Sequence, residues 1–243
     1  MNEREYVEQI LYSNEFAGDP KTDIGVVAKY FYAEGYKQND VKRRVGELII
    51  RCDPTVNLVL WDNLIDRQVK RASKRRLIEI DYISITKSEM DKIGALPNRT
   101  IKKMAFAYLC VAKYFNIVNE QNNGWTNLPL KDICSMGNVA LPVDKQYAMR
   151  GELARAGYVQ LSTVVDNVNA RVLFVDDGGE EVLRVYDMRD LGNQYFQYCG
   201  EPYVQCGMCG RLVRKRNNRQ KYCTVCSKKM DYQNRATRYQ NGT

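Results

Sequence analysis

The chain has 243 residues, 44% hydrophobic and 27% charged, with a net charge of +8, eight cysteines and no histidine. That length allows more than one domain of about 100–150 residues. The missing histidine excludes Ser-His-Asp and Cys-His nucleophiles, His-ligated catalytic zinc and histidine-dependent nucleases, and neither a GxxxxGK[ST] loop nor a GxGxxG on a strand-to-helix turn occurs.

The pattern along the chain predicts a mainly α protein with small β elements (α+β). Residues 1–96 read as a helical N-terminal domain. Helical spacing predicts helices over Glu3 to Ser13 and over Asp23 to Glu34, the second closed by Gly35. A third is expected from an Asn39 cap through Arg51, and a longer one from Val56 to Arg76 after Pro54. The end of that last helix carries six basic residues within ten (Arg67, Lys70, Arg71, Lys74, Arg75, Arg76), which read either as a solvated helix end near the C-terminal dipole or as a phosphate contact. Leu77 to Ile85 alternates like a strand, and Thr86-Lys87-Ser88-Glu89 matches a capping box opening a helix that ends near Gly94.

Pro97 and Asn98 mark a junction, and 97–188 read as a second domain. Helices are predicted over Ile101 to Asn116, Leu128 to Met136 and Asp144 to Ala156. Gly157 ends the last of these, and a strand starts at Tyr158. A turn at Asp166 to Asn169 leads to a strand over Ala170 to Val175, and Asp176 to Gly179 turns into a returning strand over Glu181 to Tyr186. Residues 189–202 read as a linker, within which Arg189 to Tyr198 can form a short helix. No run approaches the ~18 apolar residues of a membrane span, and the charged N-terminus lacks the apolar stretch of a secretory signal. The expected setting is therefore a reducing cytosol without a membrane partner, where cysteines serve as thiols or metal ligands.

The last segment, 203–243, is a basic four-cysteine module. Ten of the 37 basic residues and only two of the 29 acidic ones lie beyond Gly200, so the tail carries the whole net charge and the rest is neutral. Cys206-Gly207-Met208-Cys209 and Cys223-Thr224-Val225-Cys226 are two CxxC pairs separated by thirteen residues. Two such pairs at ribbon spacing point to one structural Zn2+ on Cys206, Cys209, Cys223 and Cys226; four free or redox-active thiols are the bland alternative. A hairpin is expected over Arg211 to Tyr222 and a helix from Ser227 to Tyr239. Arg211, Arg214, Lys215, Arg216, Arg219, Lys221, Lys228, Lys229, Arg235 and Arg238 are the candidate phosphate contacts, with Tyr222, Tyr232, Asn234 and Tyr239 as stacking and hydrogen-bonding groups. A protein-docking clip with charge serving solubility remains the competing reading. Cys52, Cys110 and Cys134 sit in apolar helical stretches and read as core; Cys199 reads as a spare thiol.

The order of knuckle, hairpin, CxxC and helix resembles the treble-clef group of zinc modules. Residues 98–188, with three helices, a hairpin and the run Leu153-Ala154-Arg155-Ala156-Gly157-Tyr158-Val159, resemble a winged helix-turn-helix domain. That resemblance implies that the helix from Asp144 is a recognition helix offering Lys145, Gln146, Arg150 and Arg155 to DNA. It also implies a wing that here is acidic (Asp166, Asp176, Asp177, Glu180, Glu181 against Arg171 and Arg184), which suits a protein partner better than DNA. The assembly is similar to small phage or mobile-element proteins of bacteria that organise replication or regulate transcription. The expectation is a non-enzymatic, zinc-containing nucleic-acid-binding protein, with DNA as the leading target. The alternatives are a phage-type adaptor or inhibitor docking through the winged-helix or N-terminal domain, and a carboxylate- and metal-dependent nuclease, for which no acidic cluster argues.

Overall fold

The computed structural model describes residues 2–164 and 169–241, with the backbone alone from 234 onward. The chain divides into two compact units, Met1–Asp81 and Tyr82–Thr243. This division falls ahead of the 96/97 boundary expected from Pro97, because the strand and capped helix that precede Pro97 pack into the second unit. Fold class is as the sequence pattern indicates: mainly α, with small antiparallel sheets. No helix among the described residues is long and apolar enough to cross a membrane.

The first unit is four helices, α1 (Glu3–Ser13), α2 (Pro20–Ala33), α3 (Gln38–Cys52) and α4 (Leu58–Ala72). Their apolar stripes meet in one core that includes Ile10, Ile24, Val27, Val41, Leu48, Ile65 and Val69. α2 begins earlier than Asp23 because Asp19 caps it and Pro20 supplies a preset first residue. α3 starts at Gln38, before Asn39, without a side-chain cap. α4 is capped by Asn57 and ends at Ala72, its last buried residue; Lys74, Arg75 and Arg76 are exposed and lie beyond it. Leu77 to Tyr82 is not a strand. It carries one isolated bridge, Asn2 to Glu79, and Glu3 accepts the Ile78 N–H at 2.8 Å.

The second unit opens with β1 (Ile83–Thr86) and α5 (Lys87–Gly94), whose capping box of Thr86 and Glu89 is present as expected. α6 (Arg99–Val118), capped by Asn98, runs through the centre, buried almost continuously from Met104 to Lys113. A 3-10 turn (Glu120–Asn122), β2 (Trp125–Thr126), α7 (Leu130–Met136), α8 (Val143–Arg155), β3 (Val159–Leu161) and β4 (Ala170–Val172) follow. Gly157 takes the left-handed cap after α8 (φ 75°). β2, β4 and β3 form a three-stranded antiparallel sheet in that order.

β5 (Glu181–Val185) does not return to β4. It pairs with β1, Ile83 opposite Val185 and Ile85 opposite Leu183, so residues that looked like two separate features form one ribbon. α9 (Leu191–Tyr198) occupies the expected linker. Leu191, Tyr195 and Phe196 are buried, and Gly192 lies so close to the α7 end that an added Cβ would sit 2.1 Å from the Gly137 carbonyl oxygen. β6 (Tyr203–Gln205), β7 (Leu212–Arg214) and α10 (Thr224–Asn241) complete the chain.

A buried ion pair ties the first half of this unit together. Lys113 of α6, with 5% of its side chain exposed, donates to the wholly buried Glu89 at 2.9 Å and to the Asp176 carbonyl at 3.1 Å, and Asp177 lies 3.2 Å away. Glu89 also accepts the backbone N–H of Thr86 and of Asp176, both at 2.8 Å. Asp176 and Asp177 thus belong to the connection between β4 and β5, and the wing-like β3–β4 turn does not contain them; Asp166 lies outside the described residues. Removing one partner strands a buried charge, so Lys113→Met is expected to destabilise this unit by about 3–5 kcal/mol. Urea unfolding followed through Trp125, in a Trp61→Phe background, reads this out, and the paired Glu89→Gln/Lys113→Met change should recover much of the loss.

Candidate metal centre

β6 and β7 pair antiparallel, Tyr203 with Arg214, Val204 with Val213 and Gln205 with Leu212. The first CxxC therefore forms the turn of this hairpin, and the hairpin is not the 211–222 segment expected from spacing alone. Cys206 N–H donates to the Arg211 carbonyl and Gly210 N–H to the Cys206 carbonyl, both at 2.9 Å. Gly210 sits at φ 71°, a left-handed value that lets the knuckle close. The chain then loops back, and Gly207 N–H reaches the Lys221 carbonyl at 3.0 Å. That bond brings Cys223 under the knuckle, and α10 grows directly from the second CxxC.

The four sulfurs lie within 4.8 Å of one another, with Cys209 and Cys223 Sγ atoms 3.9 Å apart. A tetrahedron of ~2.3 Å metal–thiolate bonds has edges of ~3.8 Å, so one edge is already at that length. A disulfide would need about 2.05 Å. Cys206, Cys223 and Cys226 are buried and Cys209 half-buried, in a small cluster with Val213 and Tyr222. Backbone N–H groups, that of Cys223 foremost, draw the Cys206 thiol down to about 6. The Cys226 N–H, 3.4 Å from the Cys223 sulfur, does the same for that thiol in direction. Burial pushes Cys226 up to about 12. Donors aimed at sulfur favour thiolate, the form that binds a metal, and a dication would supply what Cys226 lacks. The four cysteines can hold a metal ion. Cys110 and Cys134 are core residues as expected, with thiols raised by burial, while Cys199 is exposed.

The module is fastened to the helical body by residues that sequence reasoning missed. Asp190, 3% exposed and in a left-handed conformation, heads α9. Its carboxylate accepts from Arg211 at 2.7 and 3.2 Å, from the Leu212 N–H at 3.0 Å and from Asn138 at 2.8 Å. Burial pushes this carboxyl up, but those partners, Arg211 first, hold it below its ordinary value. Asn193 donates to the Leu212 carbonyl at 2.8 Å. Arg99 stacks on Phe196 at 3.6 Å, pairs with Glu201 and donates to the Tyr203 hydroxyl at 3.1 Å.

These contacts re-sort the candidate phosphate ligands. Arg211 is committed to Asp190, and Arg214 lies 4.0 Å from Glu201. Arg216, Arg219, Lys221, Lys228 and Lys229 are exposed and Lys215 is half-exposed; Tyr222 packs against the cysteine cluster, while Tyr232, largely open to solvent, lies beside Lys228 and Lys229. The side chains of Asn234, Arg235, Arg238 and Tyr239 lie outside the described residues. On α8, Lys145 and Arg155 are exposed. Gln146 instead donates to the Leu141 carbonyl at 2.8 Å, and Arg150 lies over Tyr147 at 5.0 Å.

No family model, curated protein or solved structure matches the chain.

Cys226→Ser, or metal removal by a chelator, is expected to unfold residues 203–241 while α6 to α9 persist, because metal binding supplies about 10 kcal/mol or more to such modules. Limited trypsin digestion with mass spectrometry should show new cuts confined to the basic loop and α10. Asp190→Ala should lower stability by about 1.5–3 kcal/mol, the worth of hydrogen bonds to a charged group, with metal content unchanged.

Proposed function

We propose that the chain is a zinc-stabilised nucleic-acid-binding protein, acting on DNA without a catalytic step of its own. Zinc is the metal that best suits four thiolates at tetrahedral spacing, and a closed set of four leaves no position for substrate, which makes the ion structural. The observation that carries the nucleic-acid reading is the set of cations around the cluster. Arg216, Arg219, Lys221, Lys228 and Lys229 project from one small metal-held scaffold and form no ion pair among the described residues. Such a surface neutralises phosphates and releases counterions.

The arrangement of α6, β2, α7, α8, β3 and β4 supports the winged-helix resemblance, with α8 as the helix in the recognition position. The placement of two acidic residues supports that reading: Asp176 and Asp177 lie in the β4–β5 connection, engaged around Ser88 and Lys113. Lys145 and Arg155 are the α8 side chains left to meet a backbone or a base edge. A second reading, docking of a protein partner through α8, is favoured by its exposed Val143 and Tyr147. The similarity to phage and mobile-element regulators belongs to the same proposal.

Native mass spectrometry is expected to show one zinc per chain, and binding to a mixed duplex should weaken steeply with salt. Replacing Arg216, Arg219, Lys228 and Lys229 with Ala should flatten the slope of log affinity against log salt by about 0.9 for each phosphate no longer neutralised. One zinc with no salt-sensitive binding would turn the reading toward the protein-docking alternative.

A further inference from the structure

The first unit contains a basic groove that the proposed function does not use. It lies between α2 and α4, has a volume of about 320 Å3, and is lined by Lys21, Gly25, Lys29, Gln68, Arg71 and Arg75, with Glu3 at one side. The sequence placed six cations around the end of α4. The fold brings two of them to this groove, Arg71 on α4 and Arg75 just beyond its end, together with Lys21 and Lys29 of α2.

The groove's single acidic side chain is occupied. Glu3 pairs with Lys29 and accepts the Ile78 N–H at 2.8 Å. Lys21, Arg71 and Arg75 are exposed and have no ion pair or side-chain hydrogen bond among the described residues. Three cations thus remain uncompensated around one concavity.

Gln68 is the second, independent observation. It occupies a position in the buried stripe of α4, between Ile65, Val69 and Ala72, where an apolar residue would pack. It is 8% exposed, it faces the groove, and its carboxamide has no hydrogen-bond partner among the described residues. Its amide atoms are not sealed from solvent, so the carboxamide stands open to a ligand that enters the groove. Gly25 keeps the facing wall open: a Cβ there would stand 3.3 Å from the Gln68 side-chain oxygen.

The geometry points to a phosphate site in this groove. Two guanidinium forks and an ammonium answer the charge and the several oxygens of a phosphate, and the Gln68 amide supplies a neutral donor from the floor. The α2 N-terminus contributes little, since Asp19 already caps it. The ligand that fits the nucleic-acid reading is a phosphodiester of the bound strand, so the polymer source rests on that reading while the phosphate chemistry stands apart from it.

Two measurements on the full chain separate these levels. In the first, inorganic phosphate is titrated against 15N-labelled protein, with chloride at matched ionic strength as the control. Saturable shifts are expected at the Gln68 side-chain amide and the Gly25 backbone amide, abolished in Arg71→Ala/Arg75→Ala and weakened in Lys21→Ser, whose exposed positions leave the fold intact. In the second, the Arg71→Ala/Arg75→Ala protein is compared with the unaltered one in salt-titrated duplex binding, where the slope should fall by about 0.9 for each phosphate that the groove neutralised. Phosphate shifts together with a reduced slope support a backbone contact. Phosphate shifts with an unchanged slope, or with no duplex binding by the unaltered protein, keep the site and assign it to a free phosphate or nucleotide. No selective shift at Gln68 or Gly25 overturns the proposal.

Discussion

A carboxylate buried where a helix begins must be neutralised by whatever surrounds it, and Asp190 draws its partners from two other parts of the second unit. Asn138 comes from the turn after α7, Arg211 and the Leu212 N–H come from the cysteine hairpin, and Asp190 itself heads α9. Its left-handed backbone turns the chain sharply enough for α9 to lie on α6 with Gly192 against the Gly137 carbonyl. The cysteine hairpin is thereby fixed to the helical body through a half-buried ion pair whose acidic end is almost wholly shielded. A clip of this size has little core of its own beyond its sulfurs, and attachment at a second point limits how far it can swing.

The two charged nodes of this unit work differently. Glu89 and Lys113 are both deep, so their attraction must offset two desolvation penalties, and it does so with the help of backbone groups at Thr86 and Asp176. The pair gives little net stability, but its carboxylate is satisfied by groups from α6, from the end of β1 and from the β4–β5 connection together. Asp190 keeps one partner at the surface, and Arg211 remains partly solvated. Its exposed guanidinium still adds to the positive field around the clip.

Much of this was legible in the sequence where the signal is local. The capping box at Thr86 and Glu89, the Gly157 stop and the two CxxC pairs each depend on residues a few positions apart, and each appears where spacing put it. What was not legible is non-local. Glu181 to Val185 alternates equally well for pairing with β4 or with β1, and only the burial of Ile83, Ile85 and Val185 on one side decides for β1. Leu191, Tyr195 and Phe196 form a helical stripe, but it is only eight residues long and was short enough to read as a linker. Nothing near Asp190 in sequence announces Arg211, twenty-one residues on.

The same distinction governs charge, and it bears most directly on function. A sequence count weighs Asp176 and Asp177 against DNA, yet the Asp176 carboxylate accepts from Ser88 and the Gly178 N–H and Asp177 lies against Lys113, and the same count credits Arg211 and Arg150 as free cations when one holds Asp190 and the other lies on Tyr147. Counterion release depends on charges that a phosphate can reach and that no carboxylate has already neutralised. The net +8 is therefore a poor measure of the charge left open to a ligand. The relevant set is the smaller group left open on the clip, and in the first unit, whose own charges sum to zero, the three open cations over Gln68. A neutral total can conceal a strongly polar surface when the acidic residues are occupied, as Glu3 is by Lys29 and the Ile78 N–H.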